Sequence, residues 1–186
     1  MRLFIALDLA EPVRSALGDL IAQLKSKSRD ARWVRTESMH LTLQFLGHTK
    51  PEKLNSIRAA LESVHCDRPV KLRFQGVGFF PDERRPRVIW AGIEATPVLA
   101  ELAAATETAI EPLGFERESR PYFPHITLAR LSSNGAKGLV TAAEKLKSYD
   151  FGSAQESELH LFESVTKPSG AEYKKLATFS FVKGSK

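Results

Sequence analysis

Apolar residues recur along this chain in two rhythms, one of period two and one of three to four. Two runs of strand length, Arg2-Leu3-Phe4-Ile5-Ala6 and Arg87-Val88-Ile89-Trp90-Ala91, are each followed a few residues later by a proline and then by helically spaced apolar positions. Pro12 leads Val13, Leu17, Leu20, Ile21 and Leu24, while Pro97 leads Leu99, Leu102, Ala103, Ile110 and Leu113. Proline fits a first helical turn because its missing N–H has no partner to lose there, and the spacing gathers the apolar side chains on one face. Leu54, Ile57, Leu61 and Val64 predict another helix. Strands are predicted where Val70, Leu72 and Phe74 alternate with Lys71, Arg73 and Gln75, at Leu159 and Leu161, and at Phe179 and Phe181.

Sliding the chain against itself aligns these features without a gap at an offset of 85, the separation of His40 from His125. The two strand runs superpose, Glu11-Pro12-Val13 falls on Thr96-Pro97-Val98, and His40-Leu41-Thr42-Leu43 falls on His125-Ile126-Thr127-Leu128. Each half reads strand, helix, strand, helix, strand. The expectation is a single 186-residue domain of α+β class with a duplicated, two-lobed fold. It comprises pseudo-repeat lobes about 1–85 and 86–165 and a C-terminal strand region, 166–186. Two antiparallel sheets face a central cleft, with helices on the outside. Pro81 to Pro86 is the turn-rich passage from one repeat to the next.

Composition narrows the chemistry. One cysteine, Cys66, excludes an internal disulfide and leaves no thiolate metal cluster. With no HExxH, no His-x-His and no acidic cluster, neither a metal nor another cofactor is expected. The apolar opening is cut by Asp8 and is too short for a secretory core, and no run approaches a membrane span. A cytoplasmic monomer without membrane association is expected. Twenty-seven Lys and Arg against 22 Asp and Glu give a net charge of +5, which favours an anionic partner such as a phosphate ester or RNA.

In a strand, side chains alternate between faces, so His40 and Thr42 share one face and Leu41 and Leu43 the other; His125, Thr127, Ile126 and Leu128 divide in the same way. Two imidazoles across a cleft suit general acid–base catalysis, since each is poised near neutral pH. Hydroxyls beside them suit non-bridging phosphate oxygens. Taken singly, each histidine reads as an ordinary residue of a half-buried strand; it is the repeat that pairs them.

His-Leu-Thr-Leu at 40–43 and His-Ile-Thr-Leu at 125–128, with Arg32-Trp33-Val34, Pro121 to Arg130 and Leu161-Phe162-Glu163-Ser164 around them, resemble the paired motifs of the two-histidine phosphoesterase superfamily. The likeness is to its RNA 2′,3′-cyclic phosphodiesterase branch, also called 2′-5′ RNA ligases. The resemblance implies metal-free opening of an RNA 2′,3′-cyclic phosphate terminus to a 2′-phosphate, and in reverse a 2′-5′ ligation. It makes His40 the proton donor and His125 the proton acceptor, an order that the symmetry of the repeat leaves open. It makes Thr42, Thr127 and Arg130 the phosphate-binding residues. Two rivals stand beside this reading: a cyclic phosphodiesterase for 2′-5′ oligonucleotides or small cyclic nucleotides, and a non-catalytic RNA-end-binding module.

Arg130 presents a parity problem. Five residues from His125, strict alternation points it away from the His face, so the strand ends or bulges after Leu128, or the side chain reaches round the edge. Trp33, Arg120, Tyr122 and Phe123 are candidate base or backbone contacts through stacking and charge, with core packing the alternative for the three aromatic residues. His48 reads as a turn residue, His65 as a helix end, and His160, between Leu159 and Leu161, as an outward-pointing side chain. The positive excess is expected to gather around Arg130 and the cleft rim.

Overall fold

The computed structural model describes residues 1–28, 30–94, 96–132, 136–167 and 170–182. Residues 168–169 and 183–186 of the expected C-terminal strand region therefore lie outside the described part. In chain order the elements are β1 (Arg2–Leu7), α1 (Glu11–Lys25), β2 (Arg32–Trp33), β3 (Leu41–His48), α2 (Leu54–Glu62), β4 (Val70–Phe80), β5 (Val88–Ile93), α3 (Pro97–Ile110), β6 (His125–Arg130), α4 (Lys137–Ala143), β7 (Asp150–Glu156), β8 (Glu158–Lys167) and β9 (Gly170–Ser180), with short 3-10 turns between several of them. No helix among the described residues is long and apolar enough to cross a membrane.

Both proline-led helices form as their spacing predicts. Pro12 and Pro97 occupy first turns, Val13, Leu17, Leu20, Ile21 and Leu24 are buried along α1, and Leu99, Leu102, Ala103 and Ile110 along α3. The Thr96 hydroxyl caps α3 by accepting from Leu99 N–H at 3.3 Å. β4 and β5 form an antiparallel hairpin across the Pro81–Pro86 connection, closed by Arg87 N–H donating to the Phe80 carbonyl at 2.7 Å.

Among the described residues nine strands make two antiparallel sheets, one in the order β3-β1-β8-β9 and the other β2-β6-β5-β4-β7. The equivalent cores are β3-β1-β8 and β6-β5-β4. Each takes its third strand from the other half of the sequence: β4 of the first repeat lies beside β5, and β8 of the second lies beside β1. Helices cross over likewise, α3 packing against β3 and α1 against β7. The sequence halves and the spatial lobes are thus different partitions of the same chain.

The offset of 85 holds for the helices and the histidine strands but slips by one in the first strand of each repeat. Ala6 pairs with Thr42, whereas Trp90 pairs with Thr127, which makes Trp90 the counterpart of Ala6, 84 positions later. Burial agrees: Leu3, Ile5 and Leu7, like Ile89, Ala91 and Ile93, enter the main core, while Phe4 and Ala6 form a separate cluster with Phe162. Superposing Phe4 on Ile89 puts a cleft side chain on a core side chain. Every position of Leu3–Leu7 is apolar and buried, because this strand is covered on both faces, so no alternation marks its parity.

Candidate active site

His40 immediately precedes β3 and His125 opens β6, and the two strands approach each other between the sheets. The Tyr122 hydroxyl, from the segment leading into β6, donates to the Thr42 carbonyl on β3 at 3.0 Å and ties the two motifs together.

Each imidazole is fixed in the same way. His40 Nδ1–H donates to the Ser38 carbonyl at 2.9 Å and His125 Nδ1–H to the Phe123 carbonyl at 2.8 Å, both two residues back. A carbonyl oxygen only accepts, so Nδ1 carries the hydrogen and the neutral ring presents Nε2 as a base. Burial drives the His40 pKa down to about 4, outweighing the upward pull of the Ser38 carbonyl and the Asp8 carboxylate; Arg14 adds to the depression. Burial also lowers His125, against the Phe123 carbonyl. In the free protein at neutral pH both rings are therefore neutral.

The loop carrying His40 is anchored from behind. Arg14 on α1 donates to the Thr36 carbonyl at 2.6 Å and the Met39 carbonyl at 3.4 Å, and pairs with Asp8 at 2.7 Å. Asp8 also accepts from Lys175 at 2.9 Å. Burial raises the Asp8 carboxyl, but the Lys175 and Leu9 hydrogen bonds and the nearby cations hold it below its ordinary value.

Aromatic rings wall both histidines. Phe4 stacks on His40 with centroids 4.5 Å apart, Tyr173 meets it edge-on at 4.9 Å, and Phe162 stacks on Phe4 at 5.1 Å. On the other side, Phe80 meets His125 edge-on at 4.9 Å and also contacts Trp90 and Phe123. The Trp90 ring lies over Gly78, its strand partner, so closely that any Cβ there would overlap the indole. None of Phe4, Phe80, Trp90, Phe162 or Tyr173 stands out from sequence, because an aromatic residue in a strand has the same local signature on either face.

A bulge resolves the Arg130 parity. Between β5 and β6 the pairing shifts from Trp90 opposite Thr127 to Ile89 opposite Ala129, leaving Leu128 as the extra residue. Leu128 and Ala129 both point to the core, and Arg130 returns to the cleft face, exposed. Its counterpart is a shift in the β1–β3 pairing between Ala6 opposite Thr42 and Ile5 opposite Gln44, with Leu43 extra. That places Phe45, 72% exposed, on the cleft face where the other sheet has Arg130.

The remaining candidates divide. Phe123, 51% exposed, borders the cleft beside His125. Trp33 and Tyr122, both only partly buried, pack against the main core. Trp33 lies opposite Ala129, whose face is the core, and Tyr122 is held through its hydroxyl. Arg120 pairs with Glu118 at 3.2 Å in an exposed loop. His160 does not point outward: it is 4% exposed and shares a ladder row with Thr42, Ala6 and Thr178, and its Nδ1 lies 2.9 Å from the Thr178 hydroxyl. The flanking leucines mislead because they face the core, which leaves His160 on the cleft side of a sheet whose cleft side is itself buried there. Among the described residues no three His, Cys, Asp or Glu converge in a metal-binding group.

The same two-part organisation recurs in known proteins. A family model described as LigT like Phosphoesterase matches residues 7–90 and 93–173, two segments that follow the two repeats. A protein of Archaeoglobus fulgidus named RNA 2′,3′-cyclic phosphodiesterase is 32% identical over 179 residues, covering 96% of this chain and 99% of the relative. One of the same name from Thermus thermophilus is 35% identical, covering 97% of this chain and 90% of the relative. A crystal structure of a Thermus thermophilus protein superposes with a TM-score of 0.84 at 31% identity, covering 97% of this chain and 98% of that one. Escherichia coli LigT complexed with 3′-AMP superposes at 0.79 and 25% identity, covering 98% of each chain. The chain belongs to the LigT-like phosphoesterase family.

Proposed function

We propose that this protein is an RNA 2′,3′-cyclic phosphodiesterase that opens the cyclic phosphate to a 2′-phosphate without a metal. The observation that carries the reading is the pair of imidazoles on repeated strands, each with Nδ1–H held by a carbonyl so that Nε2 is the reactive nitrogen. The names of the relatives give the substrate class, and the 3′-AMP complex of the E. coli neighbour accords with it.

In this mechanism His125 Nε2 takes the proton of an attacking water, and His40 gives a proton to the departing 3′-oxygen. Thr42 and Thr127 hydroxyls donate to the non-bridging oxygens, and Arg130 offsets their charge. Burial holds His40 neutral in the free protein at pH 7. A phosphate anion bound beside the ring raises its pKa and supplies the protonated donor. Exposed Phe45 and Phe123 offer flat apolar surfaces suited to unpaired bases. The same chemistry run backward, with a 5′-hydroxyl in place of water, gives a 2′-5′ linkage. Both half-sites lie in one chain, which accords with a monomer, and the lone Cys66 accords with the reducing cytoplasm.

The decisive experiment incubates an oligoribonucleotide ending in a 2′,3′-cyclic phosphate with the protein and a chelator. Conversion to the 2′-phosphate is expected. A 3′-phosphate product, or turnover that requires added metal, overturns the mechanism.

A further inference from the structure

Arg130 does not face the cleft alone. β2 adds to the outer edge of β6, and in that antiparallel pair Arg32 is the direct partner of Arg130, with Trp33 opposite Ala129. Directly opposed residues share a face, with Cβ atoms about 5 Å apart. Trp33 and Ala129 face the core, so Arg32 and Arg130 both face the cleft, and both are exposed. Neither has a carboxylate partner among the described residues, as is also true of Arg2, Arg58, Arg68, Arg84, Arg85 and Arg87; what sets this pair apart is that the two guanidinium side chains are directly opposed on one ladder row.

Like charges directly opposed across a ladder are destabilising. An anion between them removes the repulsion and can accept paired hydrogen bonds from either guanidinium. The position is also specific relative to the histidines. Thr127 lies in one row with Trp90 and Gly78; the row of Arg32, Arg130, Val88 and Phe80 lies roughly 7 Å further along β6. Arg32 stands a strand's width, roughly 4.8 Å, beyond Arg130. A single cyclic phosphate held at Thr42 and Thr127 leaves this outer pair of cations only partly neutralised.

We infer that Arg32, together with Arg130, forms a second phosphate subsite that takes the internal phosphodiester next to the cyclic phosphate of an RNA end. The inference rests on the phosphodiesterase reading and deepens it by naming the residue that selects an oligonucleotide terminus over a free cyclic mononucleotide. Arg32 is a specificity residue here and has no part in proton transfer.

The test compares wild type with Arg32→Gln and Arg32→Lys on two ligand pairs. In turnover, the pair is a nucleoside 2′,3′-cyclic monophosphate and a dinucleotide ending in the same cyclic phosphate. Arg32→Gln should raise KM for the dinucleotide about tenfold with little change in kcat, and leave the mononucleotide unchanged. Arg32→Lys, which keeps the charge, should recover most of the loss. In equilibrium binding, the pair is a labelled short RNA ending in a 2′-phosphate and the same RNA with an uncharged methylphosphonate at its last internal linkage. Arg32→Gln should weaken the first about tenfold, reduce its salt slope by roughly 0.7, and spare the second. Equal losses on both members of a pair, or no loss on either, overturn the subsite. If wild type turns over neither cyclic phosphate, the catalytic reading fails by itself, and the binding pair still decides on Arg32.

Discussion

His40 and His125 stand at the starts of equivalent strands, the first just before β3 and the second opening β6; they make equivalent hydrogen bonds to carbonyls two residues back and are followed by equivalent threonines and equivalent bulges. What surrounds them differs. His40 is stacked face-on against Phe4, enclosed by Tyr173 and Phe162, and braced through Arg14 and Asp8. His125 meets Phe80 edge-on and is the less depressed of the two. After the bulge one strand presents a phenyl ring and the other a guanidinium. A repeated backbone therefore sets the symmetry of the cleft, while the packing around each imidazole sets its proton affinity. The two imidazoles are thus distinguished by the neighbours of the motif, and the motif itself contributes the geometry they share.

The sharpest way to break this comparison is to remove each imidazole. His40→Ala and His125→Ala should each lower kcat on a cyclic-phosphate RNA by about 10²–10⁴ while circular dichroism stays native. An aryl phosphodiester, whose leaving group needs no proton, separates the roles: His40→Ala should keep a larger share of its activity on it than His125→Ala. The opposite ranking would exchange donor and acceptor. A smaller effect is on stability. Because folding holds His40 at about 4 while an unfolded histidine titrates near 6.5, the unfolded chain binds more protons between these values. Stability should be full above pH 6.5 and fall by on the order of 3 kcal/mol as pH drops toward 4, with a shallower fall in His40→Gln; thermal melts across that range measure it. The smallest effect tests the tie between the halves. Tyr122→Phe removes the hydrogen bond to Thr42 and should cost about 1 kcal/mol of stability. It should also lower kcat a few-fold with KM nearly unchanged, and an unchanged kcat would show that the two strands hold their spacing without it.

Much of this architecture is legible in the sequence, and the misses have physical causes. Helix stripes and the two His-x-Thr strands stand out because one face is apolar and the other is not, which is the condition under which periodicity carries information. Leu3–Leu7 is buried on both sides, so its parity slips by one. Arg130 reaches the cleft through a bulge at Leu128, and a bulge of two ordinary apolar residues has no sequence mark. Trp33 and Tyr122 turn to the core and His160 to the buried part of the cleft face, since composition near a site does not tell which way a side chain faces. The exchange of β4 and β8 is also out of reach: self-similarity identifies equivalent strands but not the partners they choose.

That exchange makes each half of the chain depend on the other for its fold. Cutting it near residue 85 would leave the first fragment with β1 bare along the side that β8 covers, and with β4 separated from both of its neighbours, β5 and β7. Neither fragment holds a complete sheet, so neither has a folded state of its own in this architecture. A single repeat could have the fold only by lending its last strand to a second copy, as a strand-swapped homodimer does. The covalent join takes the place of that dimer and lets the copies differ, one presenting Phe45 and the other Arg130, on a cleft both still build.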